Sequence, residues 1–242
     1  MSGTDPRGGW LVGCMGPGWP ERLGLDLDRG GEQEIFFWWA ACLLRAGEPR
    51  EDRVTRALAA LRKAGWQTPA KLAAAGPALG EALAEAGLRT PEVLAARLAR
   101  AAAALAERFD GSLERLASGG LDIEQLGSRL VALGPGLGPG TALRFLRPLR
   151  DRWPAADEAP LDPAAWAAAV DLGWLDEHDD LATAASQLRR RLADEDDPPP
   201  LSQLEDALER LGRAACRRGN TRRCPLADDC PARDRSRCPA RD

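Results

Sequence analysis

Lysine and tyrosine are almost missing from this chain of 242 residues: lysine occurs only at Lys63 and Lys71, and tyrosine does not occur. β-Branched residues are also scarce, whereas alanine, leucine and arginine dominate. Because Val, Ile and Thr favour strands while Ala, Leu and Arg favour helices, the composition argues against a β-rich fold and predicts an all-α one. The preference for arginine over lysine is also what the codon usage of a GC-rich genome produces.

Long hydrophobic segments are missing as well. No apolar run approaches the roughly 20 residues that a membrane-spanning helix needs, and the N-terminal residues lack the basic-then-apolar layout of a secretory signal. We therefore expect no membrane segment and a cytoplasmic location. Disulfides are disfavoured in that compartment, where clustered cysteines more often bind metal.

The formal net charge of −4 is not that of an obvious nucleic-acid-binding protein, but the charge is unevenly distributed. Residues 201–242 contain ten arginines and seven acidic residues, a local balance of +3, whereas 176–197 is net acidic. A basic patch can bind phosphate on an acidic molecule, because salt limits the reach of each charge to about 10 Å.

Hydrophobic periodicity, Thr-Pro starts and glycine ends divide the chain into short helices. Residues 1–33 read as an irregular lead-in anchored by Trp10 and Trp19, and 194–200 as an acidic, proline-ended linker. The predicted helices are 34–44, 51–65, 68–75, 77–86, 90–109, 112–118, 123–132, 139–150, 163–171, 179–193 and 201–216.

A glycine-rich turn separates two of these helices within residues 126–150. Its glycines permit a tight bend and leave backbone N–H groups facing outward at a helix N-terminus, an arrangement suited to one phosphate. Arg144 and Arg147 on the following helix would extend that contact. A plain corner between two helices is the alternative interpretation.

Four landmarks in the same order resemble the endonuclease III superfamily of helix-hairpin-helix DNA glycosylases, and most closely its bacterial 3-methyladenine branch. LVALGPGLGPGTA (130–142) is similar to the hairpin that usually reads LPGVGRKTA, and the helices upstream of it are similar to that family's helical run. APLDPAAWAAAVDLG (159–173) stands where the family has its catalytic aspartate, and GRAACRRGNTRRCPLADDC (212–230) resembles the start of its iron–sulfur loop. Together they cover about residues 34–238.

The resemblance implies an all-α, two-lobed fold in which 48–152 forms one lobe and carries the hairpin. The second lobe would combine 34–47 with 153–242 and end in a cysteine loop at 216–238. The implied partner is duplex DNA with a damaged or distorted site, whose target nucleotide is flipped out of the stack. The expected DNA-binding residues are Gly134, Gly136, Gly138, Gly140, Thr141, Arg144, Arg45, Arg217, Arg218, Arg222 and Arg223.

The family's lyase members have a lysine just after the hairpin, and Gly140 occupies that position here. Without an amine nucleophile no Schiff base with the sugar can form, so an enzyme of this sequence would be monofunctional. Asp162 would then stabilise the developing oxocarbenium ion and orient or deprotonate the attacking water. An aspartate before proline is also a common N-cap, and the two roles are compatible.

Two further family features have changed. Arg45 falls near the place of the glutamine or asparagine that probes the DNA stack, and Pro163-Ala164 replaces the pair that usually follows the catalytic aspartate. Such losses fit either a new substrate or a scaffold that no longer catalyses.

The C-terminal cysteines have the spacing C-x7-C-x5-C-x7-C, against C-x6-C-x2-C-x5-C in the family. Cys216, Cys224 and Cys230 match three family ligands, the second ligand is lost, and Cys238 could supply the fourth thiolate of a [4Fe–4S] cluster. Zinc is an alternative, although structural zinc sites usually use tighter spacings, and a loop without metal is another. The arginines between the cysteines either contact DNA phosphates or solvate the loop.

Three functions therefore remain open. The first is a monofunctional DNA N-glycosylase that excises an alkylated or mismatched base, acting as a nucleoid-associated monomer. The second is an inactive glycosylase-fold module that recognises distorted or branched DNA. The third is a protein-interaction scaffold that does not bind DNA.

Overall fold

The computed structural model describes residues 8–216 together with Cys224 and Leu226. The described residues contain α-helices, one 3₁₀ helix at Arg147–Leu149 and no strand, so the all-α prediction is confirmed. No described helix is long and apolar enough to cross a membrane. The α-helices are α1 Gly8–Met15, α2 Trp19–Arg22, α3 Glu32–Gly47, α4 Glu51–Lys63, α5 Pro69–Ala73, α6 Pro77–Glu85, α7 Pro91–Phe109, α8 Leu113–Ala117, α9 Ile123–Val131, α10 Pro139–Leu146, α11 Pro154–Asp157, α12 Pro163–Asp171, α13 Leu181–Leu192 and α14 Leu201–Ala214.

The helix boundaries follow local signals. Thr68, Ser112 and Asp180 each accept a hydrogen bond from a backbone N–H in the first turn of the helix that they precede, which satisfies amides that have no partner within the helix. Asp122 and Gln125 form a capping box at the start of α9. The predicted helix 139–150 is divided in two, because Pro148 has no N–H to donate and the chain tightens into the 3₁₀ turn.

Leu23–Asp157 forms one compact unit, built around α3. Every residue from Ile35 to Leu44 is buried, because α3 packs against α4, α7, α8 and α10. The indole Nε1–H of Trp38 donates to the carbonyl oxygen of Phe145 at 2.9 Å, so a buried polar group has its partner inside the core.

The other unit joins the described residues up to Arg22 to those from Glu158 onwards. Its core is an alanine- and leucine-rich cluster on α12, α13 and α14, to which α1 contributes Leu11. The close packing of α12 on α14 relies on small residues: Ala164, Ala165, Ala168 and Ala169 are all buried.

The structure differs from the sequence-based domain outline in two places. The lead-in 1–33 contains α1 and α2, with Trp19 buried as expected but Trp10 44% exposed. Residues 34–47 group with the middle of the chain rather than with its C-terminal part. The physical reason is that α3 buries its apolar residues against helices of the 23–157 unit.

Candidate nucleic-acid interface

The glycine turn between α9 and α10 is anchored by two leucines and leaves its amides open. Leu133 and Leu137 are each 1% exposed, and between them Gly136 has a φ of +96°, a conformation that L-residues rarely adopt. Gly138 is the N-cap of α10 and has no side chain to bind the first-turn amides. Within the described part of the chain, the amides of Gly136, Gly138 and Gly140 donate to no acceptor.

Two of these amides, at Gly138 and Gly140, lie where a ligand can reach them, whereas Gly136 is half-buried. Gly138 and Gly140 are exposed, and a Cβ built on either would meet nothing within 4 Å. They stand at the positive end of α10, where backbone N–H groups and the helix dipole both favour an anion. The predicted residue Thr141 is half-buried in the same turn, and its backbone N–H already donates to Gly138 O at 2.9 Å.

Of the three predicted arginines of this unit, Arg144 lies on α10, Arg147 begins the 3₁₀ helix that follows it, and Arg45 lies at the end of α3. Arg144 is half-buried and close enough to Cys42 to act on its thiol. Complete burial raises the pKa of Cys42 strongly, and the nearby Arg144 charge opposes only part of that effect. Arg45 is half-buried in the last turn of α3, two residues after Leu43, a residue that also contacts the turn at Gly136.

Asp162 is a helix cap in the other unit and belongs to a network of charged side chains. Its Oδ1 accepts the Ala164 N–H at 2.8 Å, its own N–H donates to Glu205 Oε1 at 2.8 Å, and its Oδ2 pairs with Arg213 Nη2 at 3.2 Å. The Asp162 side chain is only 10% exposed. The carboxylate therefore has a fixed orientation, with one edge on a backbone amide and the other beside a guanidinium.

Sequence reasoning missed two members of this network. Glu205 is 2% exposed, and the Arg213 Nη2 that pairs with Asp162 also lies 2.8 Å from Glu209 Oε1, one helical turn earlier on α14. The Glu209–Arg213 spacing of four was a visible helix-pair signal. Nothing local connects either residue to Asp162, which lies 43 and 51 positions away in sequence.

Two of the four predicted cysteine ligands lie in the described part of the chain. Cys216 and Cys224 are half-buried. Both pack on the alanine- and leucine-rich cluster of α12, α13 and α14, in which Leu226 is 1% exposed. Among the described residues, no group of three Cys, His, Asp or Glu side chains is arranged to bind a metal ion. Cys230 and Cys238 lie outside the described residues, as do Arg217, Arg218, Arg222 and Arg223.

The chain was compared with known families, curated proteins and solved structures. No family model matches it, and no curated protein matches it in sequence. Its structure is similar to the crystal structure of the H. pylori 3-methyladenine DNA glycosylase (MagIII) bound to 1,N6-ethenoadenine, with a TM-score of 0.49 and 15% identity, over 84% of this chain and 94% of that chain. This level of similarity does not transfer the neighbour's activity to this chain.

Proposed function

We propose that this protein binds duplex DNA through its hairpin and is a monofunctional DNA N-glycosylase, which removes an alkylated or mismatched base without cleaving the strand. The observation that carries the proposal is the open set of amides at Gly136, Gly138 and Gly140 at the start of α10. Backbone donors of this kind bind phosphate irrespective of base sequence. That property suits a protein that must search DNA for a rare lesion.

The lack of side chains at the turn is as important as its amides. A Cβ at Gly138 or Gly140 would meet no protein atom, so the glycines there are not required by packing. They leave room for a phosphate to approach the backbone directly, which is a recognised use of glycine. Arg144, one turn further along α10, supplies positive charge close to the same surface.

We assign the catalytic role in breaking the C1′–N bond to the carboxylate of Asp162. A water oxygen would bond to C1′ while the C1′–N bond breaks and its electron pair leaves with the base. The Asp162 carboxylate would stabilise the positive charge that develops on the sugar and accept the proton of the water. The Ala164 amide and Arg213 hold the carboxylate in place, and Gly140 at the family's lysine position leaves no amine for a lyase step.

DNA binding is tested by replacing Gly138 with aspartate. The new side chain would cap α10, since Asp is a preferred N-cap and Gly138 has φ −68° with open space around it. Folding should therefore be unchanged or slightly stabilised. Affinity for duplex DNA should fall by at least about ten-fold, because the carboxylate occupies the amides and repels phosphate. Fluorescence anisotropy with a labelled duplex measures the affinity.

Gly31→Asp is the matched control for that variant. Gly31 is the N-cap of α3 in the same unit, has φ −81° and no side-chain cap, and also has nothing within 4 Å of a built Cβ. The two variants thus add the same charge at the same kind of position. Equal DNA affinities for Gly138→Asp and Gly31→Asp would show that the hairpin is not the DNA-binding element.

Excision is tested with Asp162→Asn. Asparagine caps helices about as well as aspartate, so α12 should remain intact while the negative charge is lost. Duplexes carrying alkylated purines, uracil or mismatches are incubated with the protein and then treated with alkali to cleave abasic sites. The variant should bind DNA as the wild type does, and its excision rate should fall at least about 100-fold. Asp180→Asn, at the N-cap of α13 in the same unit, is the matched control.

The contacts that Asp162 already makes within the protein favour a second function. Its carboxylate is already bound by the Ala164 N–H and by Arg213, as expected of a purely structural cap. The chain would then be a non-excising module that recognises distorted or branched DNA. Wild-type binding without alkali-sensitive nicks on the whole lesion panel supports this alternative, whereas Asp162→Asn excising at the wild-type rate would remove Asp162 from the mechanism.

The cysteine loop is a separate part of the proposal. Cys216 and Cys224 pack on the same apolar cluster, which is compatible with both contributing thiolates to one [4Fe–4S] cluster. Cys230 and Cys238 would complete the ligand set, and zinc or a metal-free loop remain the alternatives. Such a cluster would hold the loop together rather than take part in base excision. Iron and sulfide analysis of the purified full chain measures it directly.

A further inference from the structure

Arginine side chains in the 23–157 unit commonly bind backbone carbonyl groups. Arg129 is an example, since its Nη1 donates to both Leu116 O and Ser118 O at 3.0 Å. These bonds satisfy carbonyls at helix ends that have no partner within the helix. The arginines with such bonds are Arg56, Arg62, Arg108, Arg129, Arg150 and Arg152.

Arg97 and Arg100 on α7 depart from this pattern. Within the described part of the chain, neither side chain donates a hydrogen bond or pairs with a carboxylate. The positions three and four residues before and after each of them contain no acidic residue, so no intrahelical ion pair is available. Two neighbouring cations therefore remain uncompensated on one helix.

Arg97 lies against the hairpin. A Cβ built on Gly136 would be 3.4 Å from Arg97 Cδ, and one built on Gly47 would be 3.7 Å from Arg97 Nη1. The side chain thus passes from the glycine turn towards the last turn of α3. One helical turn further along α7, a Cβ built on Gly134 would be 3.7 Å from Ala101 Cα and Cβ, so this face of α7 supports the hairpin.

Arg100 lies on the flank of that face. A residue three positions along a helix is displaced by about 60° around the axis, and Arg100 is exposed whereas Arg97 is half-buried. Each guanidinium keeps its donors available to an anion, and like charges three positions apart on a helix disfavour each other. A phosphate diester would satisfy the donors and relieve the repulsion together.

We infer that Arg97 and Arg100 bind backbone phosphates of duplex DNA next to the phosphate held by the hairpin amides. This inference rests on the proposed DNA binding and extends it, because it carries the DNA contact from α10 across the turn onto α7. The contacts are to phosphate and not to bases, so they set affinity and position rather than sequence preference.

The experiment measures how DNA affinity depends on salt for the full chain and for Arg97→Gln, Arg100→Gln and the double variant, using a short unmodified duplex. Each phosphate contact contributes about 0.9 to the slope of log K against log salt. Each single variant should therefore reduce the slope by about 0.9 and weaken binding about eight-fold near 0.1 M salt. Arg115→Gln, an exposed arginine of the same unit that pairs with Asp110, is the charge-matched control.

The outcomes separate this inference from the function on which it rests. Reduced slopes for the α7 variants and a wild-type slope for Arg115→Gln support it. Wild-type slopes for both α7 variants overturn it and leave hairpin binding in place. A wild-type protein without salt-dependent DNA binding overturns both. Arg100 is exposed, and within the described part of the chain its side chain makes no hydrogen bond or ion pair, so its replacement tests the inference without disturbing the fold.

Discussion

Replacing Gly212 with alanine should lower the free energy of unfolding by about 3 kcal/mol, since it forces atoms into a packed helix interface. For a chain of this length, that corresponds to a fall of roughly 10 °C in the melting temperature. The expected sign is opposite to that of helix propensity, by which alanine is about 1 kcal/mol better than glycine inside a helix. Thermal unfolding followed by circular dichroism measures the change.

The reason is the close crossing of α12 and α14. A Cβ built on Gly212 would overlap the carbonyl oxygen of Ala164 and lie 2.9 Å from its carbonyl carbon. Both obstacles are backbone atoms, so no side chain can rotate to make room, and the two helices would have to move apart. The buried alanines of α12 show that the whole interface is built for this short separation.

Gly127→Ala supplies the matched control. Gly127 lies inside α9, and a Cβ there would meet nothing within 4 Å. The same substitution should therefore stabilise the protein by about 1 kcal/mol, as helix propensity alone predicts. If Gly212→Ala were also stabilising, the close contact between α12 and α14 would not exist in solution.

The same contact positions the candidate catalytic residue. Ala164, the residue that Gly212 approaches, donates its N–H to Asp162, and Arg213 immediately follows Gly212 and pairs with Asp162. A shift of α14 away from α12 would therefore alter both restraints on the carboxylate. Gly212→Ala should therefore lower the excision rate as well as the free energy of unfolding.

Most of the helices could be predicted from the sequence because their ends carry local signals. Thr68 and Asp122 cap the helices that they precede, and Gly65 follows the end of α4. Helix α1 has no such signals and is rich in glycine. It is held by distant residues: Glu195 accepts the Gly8 N–H at 2.7 Å, and Arg210 donates to Met15 O and to Gly16 O. Contacts between residues so far apart in the sequence cannot be predicted from the residues of α1 alone.

The candidate site likewise has some features that local sequence motifs predict and others that only the fold reveals. The hairpin and the capping role of Asp162 were predictable, because the glycine spacing and Asp-Pro are each short motifs. Arg97 was not, because on the sequence alone it is one more arginine in an alanine-rich helix. It is distinguished by its place in the fold, against the glycine turn at Gly136, and by the lack of the carbonyl or carboxylate partner that most arginines of its unit have.

Replacing Glu48 with glutamine should lower the free energy of unfolding at neutral pH by about 3 kcal/mol, because hydrogen bonds to a buried charge are lost or weakened. Glu48 is fully buried and follows the last turn of α3. Its carboxylate accepts the Arg50 N–H at 3.1 Å, Arg53 Nη1 at 3.1 Å and the Arg89 N–H at 3.3 Å. It thereby ties the end of α3 to the start of α4 and to the segment before α7.

The pH dependence of this effect follows from the pKa of Glu48. Burial opposes ionisation and alone would raise that pKa, but the hydrogen bonds from Arg50, Arg53 and Arg89 and the charge of Arg53 outweigh it and hold the pKa below its ordinary value. A lowered folded-state pKa gives stability that is present above the unfolded-state value of about 4.3 and is lost as the pH falls through the folded-state value. The gap between wild type and Glu48→Gln should therefore be full at pH 7 and narrow in acid.

Urea unfolding of both proteins from neutral pH down to about pH 3 measures that gap. Asp52→Asn is the control, because Asp52 is an exposed carboxylate that also pairs with arginines, Arg50 and Arg56, and it should have a much smaller effect. A gap that stays constant into acid would mean that folding does not lower the pKa of Glu48. Glu48 also links Arg89, just before α7, to the end of α3. Its replacement should therefore weaken the DNA binding that we assign to Arg97 on α7. The amides of the glycine turn between α9 and α10 should stay in place.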